Sequence, residues 1–281
     1  MTLIAAMLFA VMQGATELFP VSSLGHAVIV PAILHWHINE RAPSFLPFVV
    51  MLHVGTASAL LIYFWRAWIN ILLGLLGRFS PLENTNQRRL LIRLLIATLP
   101  AVAIGFFLKK LIQHLFATPA IAALFLIANA VVLLAGERLR TRTSAKTVSD
   151  MSNVDALIIG FFQCLAFLPG LSRSGATIVG GLSRGLDHEE SARFSFLMAT
   201  PVIAGATLLE VPRLIYSHGA AGAHMLALAV IAALTSGTVA FISTAILLRY
   251  FHNHDRWALS PFAAYCASFG VLTLMLLTFG L

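Results

Sequence analysis

Charged residues are scarce in this sequence. Of its 281 residues, 18 are Lys or Arg and 11 are Asp or Glu, so 10% are charged, whereas soluble domains carry about 25%. Hydrophobic residues make up 59% of the chain, and the mean hydropathy is +0.90. Several apolar runs exceed the roughly 18 residues that a bilayer-spanning helix needs. The composition therefore excludes a soluble protein and indicates an integral membrane protein.

Cysteine and N-terminal positive charge are also nearly missing. Cys164 and Cys266 are the two cysteines, and both lie in apolar stretches, which argues against a disulfide framework. The first basic residue is Arg41, whereas a signal peptide needs a basic start, so we expect residues 1–19 to belong to the mature fold. The net charge of +7 is spread over short loops, which orients a membrane protein and does not indicate nucleic-acid binding.

Six apolar segments are long enough to cross a bilayer as helices. They cover residues 45–65, 90–108, 118–136, 192–211, 223–248 and 260–280. Two further apolar regions, 2–35 and 154–186, are each interrupted by Pro, Gly and small polar residues. We interpret them as re-entrant helical hairpins, because irregular backbone is tolerated at membrane depth only where protein or a polar cavity covers it. The predicted fold is an all-α integral membrane protein with six transmembrane helices and two re-entrant hairpins.

The two halves of the chain repeat the same order of elements. Each contains one hairpin and three crossings, so residues 1–136 and 154–281 are two units of a single membrane domain, 1–281. An odd number of crossings turns the second unit upside down, which predicts an inverted-topology repeat. A faint sequence echo supports the repeat, and its pairs are Gln13 with Gln163, Pro20 with Pro169 and Ser23 with Ser172.

The uneven distribution of Lys and Arg orients this topology. One side has Arg66, Arg78, Arg88, Arg89, Arg138, Arg140, Arg142, Lys146, Arg184, Arg193, Arg249 and Arg256. The other side has Arg41, Lys109, Lys110 and Arg213. The richer side should be cytoplasmic, so both termini lie outside. The first hairpin then enters from outside and the second from the cytoplasm, and their polar turns can meet inside the membrane.

Glu17 lies in an apolar run, where a buried charge costs at least about 2.5–3.5 kcal/mol. The meeting of the two turns offers Arg173 as its opposite charge. Charged residues inside membranes are functional by default. A structural ion pair that locks the two halves together is the alternative.

Ser22, Ser23 and His26 form a second polar cluster. On a helix that begins near Ser22, the hydroxyls and the imidazole share one face. A hydroxyl beside a base can act as an activated nucleophile. In the alternative interpretation, Ser22 or Ser23 caps the helix N-terminus and His26 is an interfacial histidine.

The segment after Pro169 and Gly170 is rich in hydrogen-bond donors. A helix that starts there offers free N–H groups to an anion, and the planar guanidinium of arginine suits phosphate. The predicted binding residues are Ser172, Arg173, Ser174, Gly175 and Thr177, together with Ser22 of the first hairpin. So many donors exceed what a carboxylate ligand requires and predict a phosphate or pyrophosphate.

Gln13 and Glu17 are four residues apart and share one helix face. One carboxylate and one amide oxygen make a poor metal site alone, but Mg²⁺ often completes its shell with water and substrate phosphates. We therefore expect a divalent cation, Mg²⁺ or Ca²⁺, at Gln13 and Glu17. His53, in the first crossing, is interpreted as a helix-packing residue and not as a ligand.

Taken together, these motifs resemble the undecaprenyl-pyrophosphate phosphatase family, the bacterial bacitracin-resistance membrane phosphatases, over essentially the whole chain. The resemblance rests on residues 13–17 (QGATE), 20–26 (PVSSLGH) and 162–164 (FQC) leading into 169–177 (PGLSRSGAT). It implies six spans with two re-entrant hairpins, a homodimer and an outward-facing site in the bacterial inner membrane. The implied reaction removes the terminal phosphate of undecaprenyl pyrophosphate, which recycles the lipid carrier for cell-wall synthesis and confers bacitracin resistance.

The resemblance also assigns roles to single residues. The family's functional positions fall on Gln13, Glu17, Ser23, His26 and Arg173. Gln13 stands where many members carry a first Glu, which removes one candidate metal carboxylate. Leu24 replaces a frequent Thr.

The resulting hypothesis is a serine mechanism. Arg173 and the helix N-termini hold the pyrophosphate, Ser23, or else Ser22, attacks the terminal phosphorus, and His26 accepts the serine proton. Glu17 and the cation offset charge or orient His26, since phosphoryl transfer depends mainly on positioning and electrostatics. Attack by a water activated by His26 is the variant. A lipid-phosphate or anion transporter is the rival function, because inverted repeats and broken helices also describe transporters. A purely structural subunit would leave the paired polar turns unexplained.

Overall fold

The computed structural model describes residues 2–36, 45–115, 118–140, 146–215, 220–254 and 256–279. Within these ranges the chain forms eleven α-helices, two short 3-10 helices and no β-strand. The α-helices are α1 (Leu3–Thr16), α2 (Ser23–Ile33), α3 (Phe45–Tyr63), α4 (Trp65–Leu75), α5 (Pro81–Leu115), α6 (Pro119–Leu139), α7 (Asn153–Gln163), α8 (Arg173–Ser183), α9 (His188–Ile215), α10 (Ala220–Asn253) and α11 (Ser260–Phe279). The all-α class is confirmed, and it follows from the need of a lipid-embedded backbone to satisfy its hydrogen bonds within each segment.

Four helices are long and apolar enough to cross a membrane. They are Pro81–Phe107 in α5, Pro119–Leu139 in α6, Met225–Asn253 in α10 and Ser260–Phe279 in α11. A fifth crossing exists if Pro47–Tyr63 and Trp65–Leu75 are counted as one span, although this pair is bent by 71°. The chain is therefore a multi-pass helical membrane protein.

The predicted segments mostly coincide with helices of this structure. Segments 90–108, 118–136, 223–248 and 260–280 fall on the four spanning helices, apart from position 280, which lies outside the described residues. Segment 45–65 coincides with α3, but the chain turns at Phe64 into α4. Segment 192–211 falls in α9, whose described part is not among the four spans and carries Glu189 and Glu190 in its first turn. The count of six crossings stays a prediction.

Both interrupted regions consist of two short helices joined by an irregular turn. The first break separates α1 from α2 across residues 17–22, and the second separates α7 from α8 across residues 164–172. Gly170 in the second turn has a φ of 107°, which only glycine adopts without strain. A Cβ there would also overlap the carbonyl oxygen of Ala122. The helices therefore break where the sequence predicted.

A serine caps the second helix of each region. Ser22 Oγ accepts a hydrogen bond from the N–H of Gly25, and Ser172 Oγ accepts one from the N–H of Gly175, both at 3.1 Å. Such bonds satisfy an N–H group that a helix start leaves unpaired. For Ser22, the capping role that the sequence left as the alternative is the one that the structure contains.

Helix packing pairs each broken region with a long helix of the other half. Helix α1 packs against α10 while α7 packs against α5, and α3 packs against α10 while α9 packs against α5. Glycines permit the close approach, since a Cβ at Gly14 would overlap the backbone of Ser236 and a Cβ at Gly160 would overlap that of Ala97. The second member of each broken region, α2 or α8, packs against α6. This arrangement places the two polar turns side by side.

Candidate active site

Glu17 is buried at the point where the two broken regions meet. Its Oε1 accepts a hydrogen bond from Arg173 Nη2 at 2.7 Å. Its Oε2 accepts hydrogen bonds from Ser23 Oγ at 2.6 Å and from Gln13 Nε2 at 3.0 Å. The side chain of Glu17 is 6% exposed and that of Arg173 is 15% exposed. The predicted partnership of Glu17 with Arg173 is therefore present, and Ser23 and Gln13 share the same carboxylate.

The ends of three helices position these groups. Glu17 directly follows α1, and its N–H donates to the carbonyl of Gln13 at 2.9 Å, which keeps both side chains on one face. Ser23 and Arg173 are the first residues of α2 and α8. The carboxylate therefore lies at two helix N-termini, where the helix dipoles favour negative charge.

His53 is a further neighbour of the carboxylate. Its Nε2 lies 3.5 Å from Glu17 Oε2, while its Nδ1 bonds to the carbonyl of Val49 at 2.9 Å. The sequence did not predict this contact, because it could not show which face of α3 turns toward Glu17, and the interpretation of His53 as a packing residue and not a ligand stays a prediction. A protonated His53 adds a second positive group to Arg173 at this site.

His26 does not bond to the hydroxyl of Ser23 in this structure. Its Nδ1 bonds to the carbonyl of Ser22 at 2.7 Å, and its Nε2 bonds to the hydroxyl of Tyr265 at 2.6 Å. The imidazole also stacks on Phe269, with ring centroids 5.0 Å apart. A carbonyl can only accept, so Nδ1 carries a proton, and a neutral His26 accepts the Tyr265 hydroxyl at Nε2. Both ring nitrogens are thus occupied, and the group bonded to Ser23 is Glu17.

The predicted anion-binding segment is largely satisfied by internal hydrogen bonds. Ser172 Oγ caps α8 and lies 3.0 Å from Ser174 Oγ, which donates to the carbonyl of Phe19 at 3.1 Å. Thr177 Oγ1 donates to the carbonyl of Arg173 at 2.8 Å and lies 2.6 Å from Ser195 Oγ. These hydroxyls hold the two turns in place, and their availability to a ligand stays a prediction.

Arg173 retains one unused donor. Its Nη1 is buried and has no hydrogen-bond partner within the part of the chain that the structure describes. Gly175 lies close by in sequence, and a Cβ there would lie 3.2 Å from that of Pro20 in the other turn. A buried unpaired donor is costly, so Nη1 of Arg173 is the first candidate to bind an anion.

Two contributors were missed by sequence reasoning. Asn129 of α6 donates from Nδ2 to the carbonyl of Pro20 at 2.9 Å and accepts at Oδ1 from the N–H of Ser172 at 3.0 Å. It therefore ties the two turns together, and a lone Asn in an apolar segment was the available signal. Tyr265 of α11 is the other contributor, but a single tyrosine in an apolar helix gives no comparable signal.

The residues present do not form a ready metal site. Over the described ranges, no group of three or more His, Cys, Asp or Glu side chains could hold a metal ion. At Glu17 both oxygens already accept hydrogen bonds, one of them from the Gln13 amide nitrogen. The expected Mg²⁺ or Ca²⁺ at Gln13 and Glu17 therefore stays a prediction.

An apolar hollow of about 360 Å³ lies beside this cluster. It is lined by Ala15 at the end of α1, by Phe19 in the turn between α1 and α2, and by Pro261, Phe262 and Tyr265 of α11. Tyr265 thus lines the hollow and also contacts His26. An apolar cavity next to a charged cluster suits an amphipathic ligand.

Comparisons with known proteins agree with this architecture. A family model described as bacitracin resistance protein BacA matches residues 6–272. The undecaprenyl-diphosphatase of Acidiphilium cryptum (strain JF-5) is 66% identical over 282 residues, which cover 100% of both chains. Those of Gluconacetobacter diazotrophicus and Granulibacter bethesdensis are 51% and 49% identical, each over 99% of this chain and 98% of its own. The chain belongs to the bacitracin resistance protein BacA family.

Proposed function

We propose that this protein is an undecaprenyl-diphosphatase, a membrane hydrolase that releases inorganic phosphate from undecaprenyl diphosphate and leaves undecaprenyl phosphate. The observation that carries the proposal is the buried contact of Glu17 with Ser23 and Arg173. It joins a hydroxyl nucleophile, its proton acceptor and a phosphate-binding cation in one place. The full-length relatives named undecaprenyl-diphosphatase support the same reaction and substrate.

Ser23 is the nucleophile in this proposal. Its oxygen forms a bond to the terminal phosphorus, the bond from that phosphorus to the bridging oxygen breaks, and undecaprenyl phosphate leaves. Glu17 Oε2 takes the hydroxyl proton across the existing 2.6 Å hydrogen bond. A water oxygen then forms a bond to the phosphorus of the phosphoserine, and the bond from phosphorus to Ser23 Oγ breaks. Phosphate leaves, and the proton held by Glu17 returns to Ser23 Oγ.

Arg173 couples phosphate binding to this proton transfer. Its free Nη1 donates a hydrogen bond to the first phosphate oxygen, and further oxygens compete with Glu17 for Nη2. When the guanidinium turns toward phosphate, the Glu17 carboxylate loses its counter-charge and attracts the Ser23 proton more strongly. The ion pair is thus a resting state that the substrate opens.

His26 is a second candidate base. To take the Ser23 proton, its Nε2 must release the Tyr265 hydroxyl, because Nδ1 already carries a proton bonded to the Ser22 carbonyl. We therefore assign the first proton transfer to Glu17 and place His26 at the second step, where it would act on the attacking water. The apolar hollow beside Tyr265 receives the first units of the isoprenoid chain.

We further propose the full membrane arrangement that the sequence predicts. It has six crossings, two re-entrant hairpins and an inverted repeat, and the exchange of packing partners between α1 with α10 and α7 with α5 supports the repeat. The bias of Lys and Arg supports a site and termini that face outward from the bacterial inner membrane. Assembly into a homodimer rests on the family resemblance alone.

The decisive test is phosphate release from undecaprenyl diphosphate by the purified chain. We expect Ser23→Ala and Arg173→Ala to lower turnover by about 10³-fold or more, because each removes a group that acts on the reacting phosphate. Ser58→Ala is the matched control, since Ser58 is exposed on α3 and bonds only to its own helix. A fully active Ser23→Ala enzyme would exclude the serine mechanism.

Two further arms separate the remaining alternatives. Phosphoserine trapped at Ser23 after an acid quench supports covalent catalysis, whereas its absence in an active enzyme supports direct attack by water. If a chelator abolishes turnover and added Mg²⁺ or Ca²⁺ restores it, the result supports the predicted requirement for a divalent cation. A transporter is favoured if the folded wild type moves lipid phosphates across vesicles without releasing phosphate.

A further inference from the structure

A second pocket lies outside the site just described. It has a volume of about 430 Å³ and is formed where α3 meets α4, together with the start of α9 and the end of α10. Three arginines from three parts of the chain line it, namely Arg66, Arg193 and Arg249. Tyr63 and Phe64 provide an apolar wall. The proposed hydrolysis uses none of these residues.

The pocket has an excess of positive charge that its own carboxylate does not offset. Glu189 lines the pocket and is engaged by His252, whose Nδ1 lies 2.8 Å from its Oε2. Arg193 makes only a long contact of 3.5 Å to Glu190. Arg249 forms no hydrogen bond or ion pair with any residue that the structure describes. The guanidinium donors are thus available to an anion.

Arg66 adds a third cation at the rim. It is exposed and lies over the ring of Trp65, 5.3 Å from the ring centroid. Stacking on an aromatic face leaves the outer N–H groups of a guanidinium free to bond. Guanidinium groups match phosphate oxygens in pairs, so the converging arginines select a phosphate over a monovalent halide.

The distance of the pocket from Glu17 along α3 is consistent with the depth of lipid headgroups. Tyr63 is ten residues beyond His53 on α3, which corresponds to about 15 Å along a helix. This distance is half the roughly 30 Å thickness of the hydrocarbon core. If Glu17, beside His53, lies near mid-membrane, the pocket lies at the boundary of that core.

Helix α4 supports the same depth. It turns away from α3 by 71° and exposes Trp65, Ile69 and Leu72 along its length. A helix that carries Trp, Arg and exposed aliphatic residues across the direction of its neighbour is typical of the membrane interface. This geometry suits Arg66 to contact lipid headgroups.

We propose that this pocket binds the phosphodiester headgroup of an anionic phospholipid from the surrounding bilayer. Phosphate is the chemistry that the arginines recognise, and free inorganic phosphate shares it. The interfacial depth and the apolar wall of Tyr63 and Phe64 favour the lipid, whose glycerol and acyl carbons can cover that wall. Basic pockets between membrane helices commonly bind anionic headgroups in this way.

The test measures lipid binding to the full chain in detergent by native mass spectrometry. Wild type is compared with Arg66→Gln/Arg193→Gln/Arg249→Gln and with the charge-matched control Arg78→Gln/Arg88→Gln/Arg89→Gln. The control arginines are exposed at the neighbouring start of α5 and do not line the pocket. Phosphatidylglycerol, phosphatidylcholine and inorganic phosphate are the three probes.

We expect phosphatidylglycerol to bind wild type and the control within about 2-fold of each other, and the pocket variant about 100-fold more weakly. Phosphatidylcholine should bind all three weakly, and excess inorganic phosphate should not displace phosphatidylglycerol. Phosphate release and gel-filtration profiles of the pocket variant should match wild type, which shows that it is folded. Equal loss in both triple variants, or equal binding of the two lipids, would overturn the proposal. Binding of inorganic phosphate without phosphatidylglycerol would overturn the lipid assignment.

Discussion

The two broken regions use the same backbone design but carry different chemistry. Both place a serine cap before the second helix, and both pack their first helix on a long helix of the other half. At a sequence offset of 150, Glu17 corresponds to Phe167, and Gln13 corresponds to Gln163. Gln13 bonds to Glu17, whereas the buried amide of Gln163 finds no partner among the described residues.

This difference shows how a repeated fold can form one site. The first region supplies the carboxylate and the nucleophilic hydroxyl, and the second supplies the cation through Arg173. Neither region alone holds the complete set. Removal of the charges or of the link between the regions tests whether both halves are required, and substitution of corresponding residues tests how their roles differ.

The largest effect should come from separating the charges. We expect Glu17→Gln and Arg173→Gln each to lower phosphate release by about 10²–10³-fold or more, since each leaves the partner buried without its counter-charge. The double variant should be little worse than either single variant, because the two residues act as one unit. The measurement is a double-mutant cycle on kcat/KM, with Arg88→Gln as the cation control. Additive losses would show that the two residues act independently.

The next effect concerns the link between the regions. Asn129→Leu leaves the N–H of Ser172 buried without a partner and leaves the carbonyl of Pro20 with only the 3.9 Å contact of the Cys266 thiol. An unmade buried hydrogen bond costs about 1–3 kcal/mol. We expect a lower thermal midpoint in detergent and a fall in kcat at fixed temperature. Asn70→Leu is the control, because Asn70 is exposed on α4. An unchanged midpoint for Asn129→Leu would mean that water or a shifted turn replaces both bonds.

A smaller effect is expected at Tyr265. Tyr265→Phe keeps the stacked ring but removes the hydroxyl bonded to His26 Nε2. We expect kcat to fall by about 3- to 30-fold and the pH-rate profile to change, because a positioning residue acts through the protonation of its partner. Tyr250→Phe, with a ring that lies away from His26, should leave both quantities unchanged. A uniform loss of activity at every pH would instead indicate a packing role for the hydroxyl.

The smallest effect should distinguish the two glutamines. Gln163→Met removes a buried amide that lacks partners, so its stability should stay within about 1 kcal/mol of wild type or rise. Gln13→Met removes a donor to Glu17, and its phosphate release should fall by about 10-fold, which corresponds to one lost hydrogen bond to a charged group. Equal activity losses in the two variants would show that the amides have equivalent roles despite their different contacts.

The helices and their breaks were the predictable part of this protein. Long apolar runs predict α5, α6, α10 and α11, because their period and length depend on local sequence. Pro20 and Gly170 mark the breaks for equally local reasons. The 71° bend at Phe64 was not predicted, because the Pro and Gly of the apolar run 45–65 are Pro47 and Gly55, and neither lies next to Phe64.

The site was predictable only in part. A buried carboxylate requires a counter-charge, and this argument alone joined Glu17 to Arg173 across 156 residues. The bonds of His26 could not be deduced, because its partner Tyr265 lies 239 residues away on α11. Helical spacing placed Ser23 and His26 on one face. It could not show that Ser23 would bond to Glu17 and that His26 would bond to the carbonyl of Ser22.

The shared carboxylate of Glu17 restricts how this chain can diverge. A replacement of Glu17 leaves Arg173 buried without its counter-charge, and a replacement of Arg173 does the same to Glu17. Either substitution therefore lowers function before a second substitution can compensate. Sequence drift at this pair should therefore require simultaneous exchange, which is rare. Phe167, at the corresponding place in the other half, carries no charge, so its replacement by another large apolar residue leaves no buried charge unpaired.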